Sequence, residues 1–234
     1  MATHLVTGAG SGIGTSVADA LHARGDDLVL LVRSDERAAE LAERFPGART
    51  VVVDLADPDA VDRLDRLDGL PSRLDSVLHI AGIVELAPVA ELATHHLREQ
   101  IDVNLVSPAL LTRACLPAVR AARGTVVFVN SAAGLSAGAS WAAYAASKFG
   151  LRALADSLRA EEMGHGVRVT TVFPSRTATP MQEKVHHQEG GTYDSSLWIS
   201  PDTVAATILH VLDLPRDATI PEVTVRPLMP WTPR

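Results

Sequence analysis

Leu5-Val6-Thr7-Gly8-Ala9-Gly10-Ser11-Gly12-Ile13-Gly14 is the stretch on which the reading of this chain turns. Two apolar residues of strand character run into a glycine turn, and a helical pattern, Gly12–Arg24, opens inside it. Glycine permits the tight turn and lets backbone N–H groups approach a pyrophosphate at a helix N-terminus, where the helix dipole favours negative charge. A glycine-rich loop alone is a weak signal. One that leaves a strand, opens a helix and heads a strand–helix–strand series has the context that dinucleotide binding requires.

That series continues. Short β-branched runs at Leu28–Val32, Thr50–Val53, Ser76–Ile80, Thr125–Val129 and Val167–Phe173 read as strands, and so does Glu222–Val225 near the end. The longer runs are almost continuously apolar rather than alternating, as parallel strands covered on both faces must be. Helical patterns lie between or after them at Asp35–Arg44, Pro58–Leu67, Thr94–Arg120, Ser140–Met163 and Asp202–Leu214. Asp35 and Thr94 are placed to cap two of these helices, and Gly164 and Gly166 to stop another. The expected fold is α/β: a single-domain Rossmann arrangement over residues 1–234, with a doubly wound parallel sheet of about seven strands and helices on both faces. Only Thr179–Ser200 breaks the rhythm. It is polar and follows a strand end, so it reads as an irregular segment, either a substrate loop closing over the site or a plain surface loop.

Composition narrows the function. In 234 residues there is one cysteine, Cys115, which rules out an internal disulfide and cysteine-rich zinc sites. Lys plus Arg number 21 against 28 Asp plus Glu, a net charge of −7 that argues against a nucleic-acid partner. The N-terminus shows no basic and apolar leader pattern, and no apolar run reaches the length of a membrane span, so a cytoplasmic protein without a membrane partner is expected. The nine histidines include the pairs His95-His96 and His186-His187, but no metal-ligand spacing, and no metal is expected. The run Val129-Asn130-Ser131-Ala132-Ala133 lacks the G-x-S-x-G elbow of a serine hydrolase.

The second strand ends in Leu31-Val32-Arg33-Ser34, nineteen residues beyond Gly14. An acidic side chain there would bond a ribose 2′-hydroxyl, whereas the forked cation of Arg33 suits a 2′-phosphate. NADP(H) is therefore favoured, with NAD(H) kept as the alternative. Asp54, with Leu55 after the third strand, is placed to accept from an adenine amine or simply to begin the next turn. Further on, Tyr144-Ala-Ala-Ser-Lys148 sets a phenol and an ammonium one turn apart on a helix face. A cation near a phenol favours the phenolate and lowers a pKa that is about 10 when unperturbed. Ser131, thirteen residues before Tyr144, ends a strand, where a doubly wound sheet puts its site.

Thr7–Gly14, Asn104, Ser131, Tyr144 and Lys148 together resemble the short-chain dehydrogenase/reductase family, over nearly the whole chain. The resemblance implies that Tyr144 exchanges a proton with the carbonyl oxygen, that Ser131 holds that oxygen, and that Lys148 binds the nicotinamide ribose and lowers the tyrosine pKa. It implies that Asn104 holds a water linking Lys148 to solvent. It also implies a cofactor held by Thr7, Gly8, Gly10, Ser11, Gly12, Ile13, Gly14, Arg33, Asp54, Leu55, Ala81, Gly82, Asn104, Tyr144, Lys148, Pro174, Thr177 and Thr179. The chain departs from the family at His79-Ile80-Ala81-Gly82, where Asn-Asn-Ala-Gly is usual, and at Pro174-Ser175, where Pro-Gly is common. These changes bear on cofactor affinity and pocket shape; His79 reads as a satisfied strand-end residue. Trp141, Leu135, Val84 and Met181 are expected pocket walls, hinting at an apolar substrate. A homodimer or homotetramer is implied through the small-residue helix Ser140–Met163 and the long helix before it. The function expected is NADP(H)-dependent interconversion of a small-molecule carbonyl compound and an alcohol. The alternative is a non-catalytic dinucleotide-binding or sensing protein on the same fold.

Overall fold

The structure is a computed structural model, and it describes residues 1–64 and 70–228. Seven strands form one parallel sheet: β1 Thr3–Thr7, β2 Asp27–Val32, β3 Arg49–Val52, β4 Ser76–His79, β5 Thr125–Val129, β6 Arg168–Pro174 and β7 Glu222–Val225. Each lies within two residues of its apolar run in the sequence. The order is β3-β2-β1-β4-β5-β6-β7, with Thr7 beside Leu31 on one flank and His79 on the other. The chain therefore builds outward from β1 in one direction, returns, and builds outward again from β4. The crevice beyond the carboxyl ends of β1 and β4 is where such a sheet binds its ligand.

Alternation along β1 shows how both faces are covered. Leu5 faces a core shared with α3 (Pro58–Asp62), α5 (Ser107–Ala122) and α6 (Ala142–Glu162) through Val61, Leu111 and Leu151. Its neighbour Val6 faces the opposite core, shared with α1 (Gly12–Ala23), α2 (Asp35–Arg44) and α8 (Pro201–Asp213) through Val17, Phe45 beyond the end of α2, and Ile208. Parallel strands buried on both sides need apolar residues at successive positions, which is why the runs are unbroken.

Several boundaries differ from expectation for local reasons. The N-cap of α2 is Ser34, whose hydroxyl accepts from the Arg37 N–H at 3.4 Å, and Asp35 is the first helical residue. Thr94 likewise begins α4 (Thr94–Ile101) and does not cap it; the residue before it is Ala93. Gly166, at φ +71°, ends the short turn after α6, while Gly164 lies within that turn. The expected single helix Thr94–Arg120 is α4, then a π-helical turn over Asp102–Val106, then α5. In the π turn the Ser107 N–H donates to the Asp102 carbonyl, five residues back. Pro108, having no N–H, withholds a donor from this same turn. Of the helix expected over Pro58–Leu67, only Pro58–Asp62 is helical α3, and residues 65–67 lie outside the described residues.

The largest correction concerns Thr179–Ser200, whose first half is not irregular. Residues Pro180–Gln188 form α7, and Ser195–Leu197 a short 3₁₀ turn. Thr179 caps α7 by accepting from the Gln182 N–H at 3.3 Å, Pro180 takes the first helical position, and Glu183 lies in the first turn. Among the described residues no helix is long and apolar enough to cross a membrane.

Candidate active site

One cavity of about 700 Å³ opens along the carboxyl ends of the strands. Its wall runs from Arg33 and Asp54 across the glycine turn to Ser131, Tyr144 and Lys148, and on to Pro174, Thr177 and Thr179. Gly8, Gly10, Ser11, Gly12, Ile13, Gly14, Leu55, Ala81 and Gly82 line it as well. Two residues of the expected set do not. Thr7 and Asn104 are buried behind the wall, because their side chains are spent on the backbone there. Thr7 Oγ1 accepts from the Ile80 and Ala81 N–H groups at 3.0 and 3.1 Å, which ties β1 to the segment after β4.

The glycine turn is built for close approach. Gly8 adopts φ +76°, and a Cβ on it would lie 2.9 Å from the Ala81 nitrogen; a Cβ on Gly14 would lie 2.0 Å from the Gly8 carbonyl oxygen. Ser11 is the N-cap of α1, yet its hydroxyl makes no capping hydrogen bond. The first-turn N–H groups of α1 thus face the cavity without a side-chain partner, an arrangement suited to a pyrophosphate. At the end of β2, Arg33 is exposed, and among the described residues nothing pairs with its guanidinium. A dinucleotide fits this cradle, because its diphosphate would meet the first-turn N–H groups of α1, which no side chain caps.

At the other end, Ser131 lies two residues beyond β5, where it caps the 3₁₀ turn Ala132–Gly134, and Tyr144 and Lys148 stand one turn apart on α6. The Ser131 hydroxyl lies on the same cavity wall as the Tyr144 phenol and accepts from the Ala133 N–H at 3.1 Å. Burial pushes that phenol up to about 12, outweighing the polar influence of the neighbouring Ser131, which acts downward. This reverses the expected depression by Lys148, whose Nζ stands 5.7 Å from the tyrosine ring centroid and donates to the Val129 carbonyl at 3.2 Å. Burial likewise pulls the lysine down to about 8. Desolvation disfavours whichever form is charged, so phenol and ammonium shift in opposite directions and their ordinary pKa order is exchanged.

Asn104 sits in the π-helical turn and is fully buried. Its Oδ1 accepts from the Ile83 N–H at 2.9 Å, while Nδ2 donates to the Ile83 carbonyl at 2.9 Å and to Ser147 Oγ at 3.0 Å. The side chain expected to hold a water is thereby committed to protein partners. Ser147 Oγ in turn donates to the Tyr144 carbonyl at 2.7 Å, so Asn104 braces the helix that carries the tyrosine.

His79 is a structural residue. Its Nε2 shares a hydrogen bond of 2.8 Å with Thr112 Oγ1, and its ring stacks on Phe128 with centroids 4.8 Å apart. Full burial drops its pKa to about 3, so it is neutral at ordinary pH. Ser175 lines the cavity and is pinned through its N–H to the Val225 carbonyl at 2.8 Å. Of the expected pocket walls, Val84, Trp141 and Met181 line the cavity but Leu135 does not; the 3₁₀ turn over Ala132–Gly134 presents Ala132 and Ala133 there instead.

Sequence reasoning missed two residues. Asn130, buried, donates from Nδ2 to the Lys148 carbonyl at 2.9 Å and accepts at Oδ1 from the Ser131 N–H at 2.8 Å, clamping β5 to α6. Gly134 must be glycine beside it, since a Cβ there would fall 2.3 Å from Asn130 Oδ1. The available signal was a polar residue directly before a strand-end serine. Arg37, in the first turn of α2, lines the cavity with its guanidinium carbon 3.6 Å from where a Cβ on Gly10 would sit, and it pairs with Glu40. Its four-residue spacing from Arg33 was the cue.

A family profile described as short chain dehydrogenase matches residues 2–190. The chain belongs to the short-chain dehydrogenase family. It is similar to 1-deoxy-11-beta-hydroxypentalenate dehydrogenase of Streptomyces exfoliatus, 35% identical over 218 residues that make up 89% of this chain and 78% of the relative. An uncharacterized oxidoreductase of Listeria monocytogenes is 30% identical, with 97% of each chain covered. Among solved structures, a short-chain dehydrogenase of Escherichia coli complexed with NADPH is 28% identical with a TM-score of 0.85, covering 97% of both chains. This short-chain dehydrogenase therefore has the Rossmann fold and is an oxidoreductase of that family.

Proposed function

We propose that this short-chain dehydrogenase reduces a carbonyl compound to an alcohol with NADP(H), and runs the reverse reaction when the alcohol is supplied. The observation that carries the reading is the junction, in one cavity, of Ser131, Tyr144, a buried Lys148, and a glycine turn flanked by an Arg33 unpaired among the described residues. In this reading the first turn of α1 holds the diphosphate, Arg33 holds the 2′-phosphate with Arg37 beside it, and Lys148 holds the nicotinamide ribose. Asp54, Leu55, Ala81, Gly82, Pro174, Thr177 and Thr179 shape the remaining contacts. Bound there, the cofactor supplies a hydride to the carbonyl carbon or accepts one from the carbinol carbon.

The chain's own part is the proton. Tyr144 keeps its proton at neutral pH because burial raises it to about 12, which makes it ready to protonate a carbonyl oxygen that Ser131 orients. Lys148, near 8 and next to the tyrosine, is the group that restores the proton and stabilises the phenolate left behind. Residues 1–234 act as one NAD(P)-binding domain, with residues 179–200 forming the substrate side. Self-association as a homodimer or homotetramer would use α5 and α6, where Phe149 is exposed together with Ala146 and Ala153.

Cofactor choice is tested at Arg33. Arg33→Asp puts a carboxylate where the 2′-phosphate would lie, removing one charge-assisted hydrogen-bonding site and adding repulsion. The ratio of kcat/KM for NADPH over NADH is expected to fall at least about 100-fold, a change of about 2.7 kcal/mol in relative transition-state binding. An unchanged ratio removes Arg33 from the cofactor site.

A further inference from the structure

The end of the cavity that holds Tyr144 has a wall unlike the rest. Val84, Leu86, Ala133, Trp141, Met181 and Val185 pack around the tyrosine as a hydrophobic cluster separate from both sheet-face cores. Trp141 meets the tyrosine ring at a steep angle, with centroids 5.7 Å apart. Met181 reaches the same place from α7, its Cε standing 4.0 Å from the position of a Cβ on Gly82. Gln182 is the polar residue between Met181 and Val185 on the wall, and its amide is hydrogen-bonded to His186 at 2.8 Å.

The cations that α7 and its approach bring near this wall are already neutralised. Lys184 Nζ donates to the Val84 carbonyl at 2.9 Å and pairs with Glu85 at 2.7 Å. Arg176 lays both arms of its guanidinium on Glu189 at 2.7 and 2.8 Å and sits over the Trp198 ring. Lys148, below the tyrosine, is spent on the Val129 carbonyl and is the group assigned to the proton. An anionic substituent on a substrate would be desolvated here and, among the described residues of this wall, would meet only cations already engaged elsewhere, whereas an apolar ring would replace water along the wall.

We propose that this end takes an uncharged, largely apolar carbonyl compound, whose bulkier substituent is a ring laid between Trp141 and Met181. The proposal rests on the reading of the site as a carbonyl reductase. It selects against keto acids and phosphorylated ketones, and it assigns the selection to α7 and the segment after β4 rather than to Ser131 or Tyr144.

Methyl benzoylformate and benzoylformate make the test, since they share an aryl ketone and a ring, and a methyl ester in one replaces the carboxylate charge of the other. With NADPH, kcat/KM for the ester is expected to exceed that for the acid by at least about 100-fold. An acid that matches or beats the ester overturns the proposal. Binding supplies a second reading that needs no turnover. In calorimetry on Tyr144→Phe protein loaded with NADPH, the ester should bind more tightly; equal or tighter binding of the acid, or binding of neither, overturns the proposal. If the ester binds preferentially yet wild-type protein turns over neither compound, the substrate class stands and the reductase reading falls. Met181→Lys puts an unpaired ammonium into the wall and should shrink the ester-to-acid ratio at least tenfold. An unchanged ratio, in a variant that still binds NADPH, overturns the placement on α7.

Discussion

Replacing Tyr144 by phenylalanine is expected to cut kcat for carbonyl reduction by roughly 10²–10⁴-fold, the range that a positioned general acid contributes. The loss should fall on kcat and kcat/KM together, because the proton moves only in the transition state. The Kd for NADPH should stay within a few-fold, since the glycine turn, the first turn of α1 and Arg33 are untouched. Nor should the fold suffer. The deleted hydroxyl faces the cavity beside Ser131, and the ring keeps its packing against Val84 and Val185. Stopped-flow NADPH oxidation beside a fluorescence titration of cofactor binding separates the two effects. Equal loss of turnover and binding would make Tyr144 a cofactor contact rather than the acid; unchanged turnover would remove it from the chemistry.

The second large effect concerns acid stability and belongs to His79. Its pKa is about 3 in the folded protein, through burial, against an ordinary value of 6.5. Between those values the unfolded chain binds a proton that the folded chain refuses. Unfolding then takes up protons, and stability present above pH 6.5 drains away as the pH falls towards 3. At about 1.4 kcal/mol per pH unit the full window is worth roughly 5 kcal/mol, a large part of a typical domain's 5–15 kcal/mol. His4, also pulled down by burial, acts in the same direction. His79→Asn removes the titrating ring, so the slope of unfolding free energy against pH between 6.5 and 4 should become shallower than in wild type. The variant also loses the Phe128 stack, which lowers stability at pH 7 without any pH dependence. Urea unfolding at four pH values reads both. Parallel slopes for the two proteins would mean that His79 accepts its proton while folded.

The inner strands were legible because burial on both faces leaves so little choice of residue, while the edge strands β3 and β7, half-exposed, were legible from their β-branched residues. Thr125–Val129 and Glu222–Val225 fall on their expected limits, and Asp35–Arg44 does so among the helices. The Ser131, Tyr144 and Lys148 set was legible through its resemblance to the family's motifs, to which strand-end position and helical spacing only added, and the structure brings all three to one cavity wall. What escaped was set by tertiary contact. Helix α7 has only Met181 and Val185 as apolar residues, too few for a periodic signal, and it packs them on the cavity wall. The Thr179-Pro180 pair with Glu183 was the start signal that hydrophobic periodicity could not supply. The pKa order of Tyr144 and Lys148 was unreadable for a related reason: spacing gives the proximity of two groups, while burial decides the sign of the shift. Thr7 and Asn104 match the motif and sit behind the wall, because a motif marks a position in the chain and not the side of the backbone that the side chain takes.

The account rests on direct hydride transfer to a carbonyl whose proton comes from Tyr144. NADPH carrying deuterium at the transferring C4 position, incubated in ordinary water with methyl benzoylformate and wild-type protein, tests this most directly by mass spectrometry and NMR of the product. One deuteron on the carbinol carbon, in step with NADPH consumed, is the predicted result. A product alcohol whose carbinol hydrogen comes from solvent would contradict it, and so would an NADPH-loaded protein that consumes no cofactor with this ketone.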